Sequence, residues 1–383
     1  MQVYQVGGSV RDRLLGLPAG DRDFVVVGAG PEELVRRGFR PVGQDFPVFL
    51  HPVTGEEYAL ARTERKQGHG YRGFVFRTGP EVSLEQDLAR RDLTINAMAL
   101  DPDGCLIDPF HGRLDLQAGR LRHISDAFRE DPVRILRLAR FATRFAAFEI
   151  APRTLELCRD MVKSGEVEHL VPERVWQEMS RALLHDAPSR FVEVLRETGA
   201  LALILPEVAA VLERPDQGWG TLLALDQAAQ LGADLAVRFA LLVRDTGDGG
   251  SIEALSRRLR VPTDCREMAE LVGTLCAKAH SVEQMEPEEV LQVLERLDVF
   301  RRPQRLSRFL LACEAADRAS RAGPRRPYRQ AELWRKAAVA ARSVDGGALA
   351  RQGLQGGKIA AALRQQRLAR IADLALDQDL KNC

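Results

Sequence analysis

Gly7-Gly8-Ser9-Val10-Arg11-Asp12, and after it Asp21-Arg22-Asp23 running into Phe24-Val25-Val26-Val27, is the stretch that decides the N-terminal fold. Val3-Tyr4-Gln5-Val6 ahead of it reads as a strand, Gly7-Gly8 as a turn, the next segment as a helix carrying Arg11, and the apolar run as a second strand. Alternate residues of an extended segment share a face, so Asp21 and Asp23 can grip the same cations while Arg22 points away. Carboxylates are the ligands Mg2+ takes, and two such ions roughly 3.5 to 4 Å apart steady the attacking and leaving oxygens of phosphoryl or nucleotidyl transfer. The glycines let the backbone approach a phosphate, and the helix adds N–H groups and a positive dipole end, with Arg11 one turn in and facing the anion. No Gly-Lys-Ser/Thr follows, so this is not a Walker loop, and the Gly-x-Gly-x-x-Gly of dinucleotide folds is missing too. Each half alone has an ordinary explanation, a solvated turn or a plain helix cap. The order strand, Gly-Gly, helix with Arg, Asp-x-Asp, strand is what makes the pattern specific.

With 383 residues, 45% of them hydrophobic, the chain can bury a sizeable core and is expected to form two to four domains. Six scattered cysteines without a Cys-x-x-Cys pattern fit reduced thiols, and with no leader-like segment at Met1-Gln2-Val3 the expected location is cytoplasmic. The longest apolar stretch, Leu201 to Leu212, contains Pro206 and Glu207 and is too short for a bilayer, so no membrane role is expected. The net charge of +1 conceals an asymmetry. Between Arg318 and Arg370 thirteen Lys/Arg face only Glu332 and Asp345, about +11, which leaves the remainder near −10. Such a tail is either a solvated basic face or a surface for a polyanion gripped through its phosphates.

Short β-like runs at 3–6, 24–27, 48–51, 57–61, 98–101 and 105–108 alternate with helical pieces up to about residue 110. Beyond Asp126 the strand signals fade, and amphipathic helices are predicted over 131–144, 152–163, 172–185, 187–198, 221–231, 262–279, 287–298, 303–320 and 357–375, many opened by proline. The fold class is therefore α+β, an N-terminal α/β domain with a mixed sheet followed by an all-α remainder. Gly68-His69-Gly70-Tyr71-Arg72-Gly73 reads as a mobile loop and His69 as an exposed loop histidine.

Arg90-Arg91-Asp92-Leu93-Thr94-Ile95-Asn96-Ala97 looks like a helix start with Asp92 as its cap. Two arginines ahead of a helix N-terminus oppose the dipole, which suggests that one is held by a triphosphate. Glu130-Asp131-Pro132-Val133-Arg134 opens a helix bearing Arg134, Arg137 and Arg140, with Asp131 and Arg134 adjoining at i and i+3. An N-terminal acid paired with a basic residue is the plain explanation. The pair also has a recognition meaning. Cytosine and adenine present an amino donor beside a ring-nitrogen acceptor, whereas uracil and guanine present a carbonyl beside a ring N–H. A carboxylate next to a guanidinium would take C and A and reject U and G.

On these motifs, together with Val42-Gly43-Gln44-Asp45-Phe46-Pro47-Val48 and Tyr58-Ala59-Leu60-Ala61-Arg62-Thr63-Glu64, the chain resembles the bacterial class II tRNA nucleotidyltransferases, or CCA-adding enzymes, of the polymerase-β-like superfamily. The resemblance is strong through Arg134 and continues weakly to the C-terminus. It implies a nucleotidyltransferase head at 1–112, a helical neck with base recognition at 113–186, a helical body at 187–302 and a basic tail for tRNA at 303–383. It implies Asp21 and Asp23 as catalytic residues and ligands of Mg2+. Gly8, Arg11, Arg91, Arg137 and Arg140 would meet the nucleotide, Asp131 and Arg134 would read the base, and the loop near Gly68 would switch the site from C to A. The implied partners are CTP, ATP and the acceptor arm and 3′ end of tRNA, with the protein a monomer or homodimer.

Some enzymes of this type carry a metal-dependent phosphohydrolase centre of HD type in the body. Here the expected His-Asp falls at Arg244-Asp245, and no histidine lies between His185 and His280, so that activity is not expected. The third metal-face carboxylate stays open among Glu56, Glu57 and Glu64. Alternatives are a poly(A) polymerase, an enzyme adding only CC or only A, and an RNA-binding protein with an inactive head. Poly(A) polymerases typically carry a basic Arg/Lys pair where this chain has Gln44-Asp45-Phe46-Pro47, the Gly68 loop argues against CC-only addition, and intact Asp21 and Asp23 argue against a dead head.

Overall fold

The computed structural model describes residues 1–18, 20–42, 48–66, 74–247, 249–320, 327–351 and 355–374. The Gly68 loop and the 44–47 segment lie outside the described residues. The chain forms two compact units, one of residues 1–182 and 190–204, the other of residues 183–189 and 205–383.

The first unit opens with β1 (Gln2–Val6), α1 (Gly8–Leu14), β2 (Asp23–Val27), α2 (Pro31–Arg36), β3 (Arg40–Pro41), β4 (Val48–Leu50) and β5 (Glu57–Leu60). It continues with β6 (Arg62–Lys66), β7 (Phe74–Thr78), α3 (Leu84–Ala89), β8 (Ala99–Leu100), β9 (Leu106–Ile107) and α4 (Gly112–Gln117). Seven strands make one sheet in the order β3-β4-β5-β2-β1-β8-β9, mixed because β2 and β5 are parallel and the other pairs antiparallel. Alternation on β2 explains why its run is apolar throughout. Val25 packs with Val6, Leu88 and Ala99 on one face, while Val26 packs with Leu34, Phe49 and Leu60 on the other, so the strand is covered on both sides. The predicted strands all form, within a residue or two of their expected ends. Three short pieces were not foreseen: β3, the β6–β7 hairpin, and the parallel pair β10 (Arg120–Leu121) with β11 (Glu149–Ile150). The Arg62-Thr63-Glu64-Arg65-Lys66 strand carries no apolar alternation for periodicity to detect.

The rest of this unit is helical: α5 (Val133–Arg144), α6 (Pro152–Lys163), α7 (Pro172–Leu183), α8 (Ser189–Thr198) and α9 (Ala200–Ile204). The segment after Asp92 corrects an expectation. It makes only a 3-10 turn at Thr94–Asn96, flanked by Leu93, which places no side-chain cap. Asp92 instead accepts from Leu93 N at 2.8 Å and from Asn96 Nδ2 at 2.9 Å.

The second unit contains α10 (Pro206–Leu212), α11 (Pro215–Gln230), α12 (Leu235–Val243), α13 (Gly249–Arg258), α14 (Thr263–Ala279) and α15 (Pro287–Arg296). After these come α16 (Gln304–Ser320), α17 (Gln330–Arg342), α18 (Gly346–Arg351) and α19 (Gly357–Ala372). Helix α12 is buried from Ala236 to Val243 and packs on α14, apolar except for Arg238, which is buried with it and donates to the Ala233 carbonyl. Lacking a polar face, it offered no amphipathic signal. Helix α11 starts six residues before its predicted start at Thr221, because Gly218 and Gly220 look like breakers. Gly218 is there for closeness: a Cβ would lie 2.8 Å from the Leu212 carbonyl oxygen. Among the described residues no helix is long and apolar enough to cross a membrane.

Candidate active site

The sheet brings the signature residues together at one end of three strands. Val6, the last residue of β1, pairs with Asp23, the first of β2, and Asp23 in turn pairs with Glu57, the first of β5. Gly7 follows at φ +74°, a left-handed conformation that favours glycine, and an added Cβ would meet Arg91 Nη1 at 2.9 Å. Its N–H donates to the Met98 carbonyl at 3.3 Å, anchoring the turn to the start of β8.

Asp23 opens β2, and Asp21 and Arg22 lie just ahead of the strand. Arg22 turns to the opposite side, where its Nε donates to Glu56 Oε1 at 2.7 Å, and Thr54 Oγ1 donates to Glu56 Oε2 at 2.8 Å. The Thr54 bond, with Arg22, holds the Glu56 carboxyl below its ordinary value. Asp23 behaves the opposite way. Desolvation, then the adjacent Glu57, push its carboxyl upward, Arg91 pulls it back, and Asp21 adds a further upward push. Of the three candidates for a third carboxylate, Glu57 stands beside Asp23, Glu56 is engaged elsewhere, and the side chain of Glu64 is outside the described ones.

Arg90 and Arg91 owe their position to α3, which corrects the expectation that they oppose a helix dipole. Arg90 caps the C-terminal end of that helix, where a cation is favoured, and no helix N-terminus follows directly. Buried Asp87 accepts from Arg90 Nη2 at 2.8 Å and from Arg91 Nη2 at 3.2 Å. Burial alone would raise the Asp87 carboxyl, but Arg90 and Arg91 together hold it below its ordinary value.

Helix α5 supplies the facing wall. Arg134 is buried and donates to the Ala127 and Arg90 carbonyls at 3.0 and 2.6 Å, fastening the Arg90 segment to the helix. Arg137 Nε donates to Asp92 Oδ2 at 2.7 Å, Arg140 Nε to Glu178 Oε2 at 2.5 Å, and Arg144 Nη2 to Asp12 Oδ2 at 2.9 Å. Arg11 is also buried; it donates to Asp12 at 2.8 Å and to Asn96 Oδ1 at 2.5 Å, with the Phe141 and Phe145 rings beside it. Asp131 accepts from Val133 N at 3.0 Å with one oxygen, and the other lies 3.4 Å from Arg174 Nη2 on α7.

These side chains surround a cavity of about 530 Å3 whose lining includes nine arginines against Asp23, Asp92 and Asp131. A hollow so biased is suited to a polyphosphate. The structure brings Gly8, Arg11, Asp23, Arg91, Asp131, Arg134, Arg137 and Arg140 onto this one cavity, while Asp21 lies two residues outside its lining. Sequence reasoning did not assign Arg62, Arg144, Arg174 or Phe141 to the site. Arg144 continues the helical spacing of Arg140 and was discoverable; Arg174 lies 43 residues beyond Asp131 and had no signal.

The donor set fits a hard divalent cation. Among the described residues no group of three His, Cys, Asp or Glu forms a ready metal cage. Mg2+ does not require one, since it is commonly held by one or two carboxylates together with substrate phosphates and water. Such a charge would offset both the desolvation of Asp23 and the repulsion from Glu57 and Asp21 that raise its carboxyl.

In the second unit Arg244, at the C-terminal end of α12, donates from Nε and Nη2 to the Asp245 carboxylate at 3.0 and 2.7 Å. His280 is engaged as well, Nδ1 with Tyr328 Oη at 3.0 Å and Nε2 with Cys276 Sγ at 3.6 Å.

Residues 3–122 match a family model described as the poly A polymerase head domain, and residues 147–212 one described as the probable RNA and SrmB-binding site of polymerase A. Over 98% of its length the chain is 53% identical to the multifunctional CCA protein of Alkalilimnicola ehrlichii, covering 98% of that protein. It is 52% identical to the protein of that name from Paraburkholderia phytofirmans, over 98% of this chain and all of that one. Solved structures share the fold. The Bacillus stearothermophilus CCA-adding enzyme in complex with CTP superposes with a TM-score of 0.69 at 24% identity, over 97% of this chain and 89% of that one. For the Thermotoga maritima CCA-adding enzyme complexed with tRNA the values are 0.66 and 23%, over 100% and 91%.

Proposed function

Because this chain belongs to the multifunctional CCA protein family, we propose that it adds C, C and A to the 3′ end of tRNA without a nucleic-acid template, using CTP and ATP and releasing pyrophosphate. The observation that carries the reading is the convergence of the Gly7-Gly8 turn, Asp23 and the α5 arginine row on one cavity, in a chain half identical to CCA proteins along its whole length.

Asp21 and Asp23 would hold Mg2+, with Glu57 beside them as the third carboxylate. The chemistry supplied by a divalent ion held there would be a lowered pKa for the attacking 3′-hydroxyl and neutralisation of charge on the departing phosphate oxygens. The residues of the chain do the positioning. The Gly7-Gly8 turn admits the triphosphate against the backbone, and Arg91, held by Asp87, faces it from across the turn. Arg11, Arg137 and Arg140 add positive charge from positions fixed by Asn96, Asp92 and Glu178. Fixed donors of this kind stabilise charge that builds up on the phosphate without having to reorganise. Asp131 accepts from the exocyclic amino group of cytosine or adenine, and Arg134 donates to the ring nitrogen beside it.

In domain terms the head is 1–112, the neck 113–186, the body 187–302 and the basic tail 303–383, the tail being the surface offered to tRNA. The protein acts in the cytoplasm, as a monomer or homodimer. A poly(A) polymerase is the second reading, favoured by the description of the matching head model. One assay separates them: tRNA ending before C74, at C74 or at C75 is incubated with CTP and ATP, singly and together, and the products are read at nucleotide resolution. Completion to CCA and no further supports the proposal. Long adenylate tails, or addition of A or CC alone, would replace it.

A further inference from the structure

Helix α7 carries Arg174 and Glu178 one turn apart, at i and i+4, on one face. That face supplies the counter-charge for α5: Glu178 takes Arg140, and Arg174 takes Asp131. The two oxygens of the Asp131 carboxylate are therefore not equivalent. Oδ1 is occupied by the Val133 N–H at the start of α5, which leaves Oδ2, the oxygen near Arg174, as the acceptor for a ligand in the cavity. A carboxylate held by one bond can turn about its last torsion, whose preference is broad. A second contact fixes its plane.

We infer that Arg174 is a positioning residue for nucleotide choice: it holds the Asp131 carboxylate in the orientation in which Oδ2 meets the amino group of cytosine or adenine. The inference rests on the function proposed above and extends it to a residue outside the Asp131–Arg134 pair. With the plane fixed, Oδ2 opposes the carbonyl of uracil or guanine, two acceptors face to face. With the plane loose, the carboxylate can turn aside, so rejection of the wrong base suffers together with acceptance of the right one. The pair is long, at 3.4 Å, as pairs in ligand-free catalytic sites often are. Arg174 also lines the cavity, so the rival role is plain attraction of the triphosphate, which would be blind to the base.

The test compares wild type, R174A, R174K, D131A and the double variant R174A/D131A in single-nucleotide addition. CTP against UTP is measured on tRNA lacking C74, and ATP against GTP on tRNA ending in CC. R174A is expected to lower both kcat/KM ratios about tenfold, leave the Kd for tRNA unchanged and be largely rescued by R174K; in the D131A background it should change neither ratio. An even fall for all four nucleotides, unchanged ratios, or an equal effect without Asp131 would each overturn the inference. If R174A does not fold, R174Q takes its place in the same comparison. Failure of the wild type to add C or A appears before any variant is made, and removes the functional reading underneath.

Discussion

Arg137 Nε donates to the buried carboxylate of Asp92 at 2.7 Å, and through that bond α5 is joined to the segment that follows α3. Asp92 also accepts from the Asn96 amide at 2.9 Å, and Asn96 in turn accepts from Arg11. The polar chain Arg11–Asn96–Asp92–Arg137 thus spans the cavity wall from α1 to α5. Such a network fixes the site only while each member keeps its partner.

Removing its acid is expected to cost stability. Asp92→Asn keeps the shape but leaves Arg137 with only the longer contact to Glu178, at 4.0 Å, as a charge partner. The loss is about 2–3 kcal/mol, below the full value for a buried pair because Arg137 remains partly solvated. Burial alone would raise the Asp92 carboxyl, but Arg137, Asn96 and the Leu93 N–H hold it far below its ordinary value. Its contribution is accordingly present in full above the unfolded-state pKa of about 4 and is lost as the pH falls further toward the folded-state value. Urea unfolding at several pH values checks this: the gap between wild type and variant should be constant from neutrality down to about pH 4 and close in stronger acid.

Asp23 and Glu57 make a second relationship that can be tested. Asp21→Asn or Asp23→Asn should reduce nucleotide addition below about a thousandth of wild type while tRNA binding stays near normal, since the lost interaction is made in the transition state. Glu57→Gln should raise the Mg2+ concentration for half-maximal rate, whereas Glu56→Gln, on the side facing Arg22, should not. Titrating Mg2+ against initial rate with each variant decides between the two glutamates, and gel-shift binding of tRNA checks the other half.

The parts of the site that the sequence discloses are those where local pattern and chemistry coincide. The Gly7-Gly8 turn and the Asp21-x-Asp23 alternation are set by backbone geometry within a few residues, and both strands form where the apolar runs indicate. The α5 arginines were visible as a row, but their partners were not. Glu178 and Asp12 lie 38 and 132 residues from the arginines they neutralise, and such pairings are made only by the packing of α7 and α1. The misjudged Arg90-Arg91 pair has the same origin. The six-residue helix α3 that ends there was not identified, so a favourable helix C-terminus was mistaken for an unfavourable N-terminus.

Asp131→Ala is expected to blur nucleotide choice more than it weakens tRNA binding. The substitution removes the acceptor for the amino group of C and A, and with it the acceptor that opposes the carbonyl of U and G. Discrimination between CTP and UTP should fall by at least about tenfold, the scale of one buried polar contact, with tRNA affinity changed less than about twofold. Competitive incorporation from an equimolar mixture of all four nucleotides reads this directly. Equal losses for every nucleotide would assign Asp131 to holding α5 through the Val133 N–H.

Arg244 and Asp245 bear on whether the second unit has a catalytic centre of its own. A metal-dependent phosphohydrolase of the HD type needs the oxygens of that aspartate for a cation. Here the Arg244 guanidinium already occupies them through two N–H donors, and Thr221 Oγ1 lies 3.3 Å from Oδ2. A fixed positive charge at that distance repels a divalent ion at the place where it would have to bind. The purified protein is therefore expected neither to open 2′,3′-cyclic nucleotides to their monophosphates nor to release phosphate from a phosphomonoester in the presence of Mg2+, Mn2+, Ni2+ or Co2+, while still completing tRNA. Arg244→His removes the charge but supplies only one ligand; His280 is bound to Tyr328 and Cys276, and among the described residues no three such side chains stand ready for a metal. That variant alone should remain inactive on the cyclic substrates. Metal-stimulated hydrolysis of either substrate by the wild type would show that the pair opens, and hydrolysis by Arg244→His alone would show that the remaining ligands are present after all.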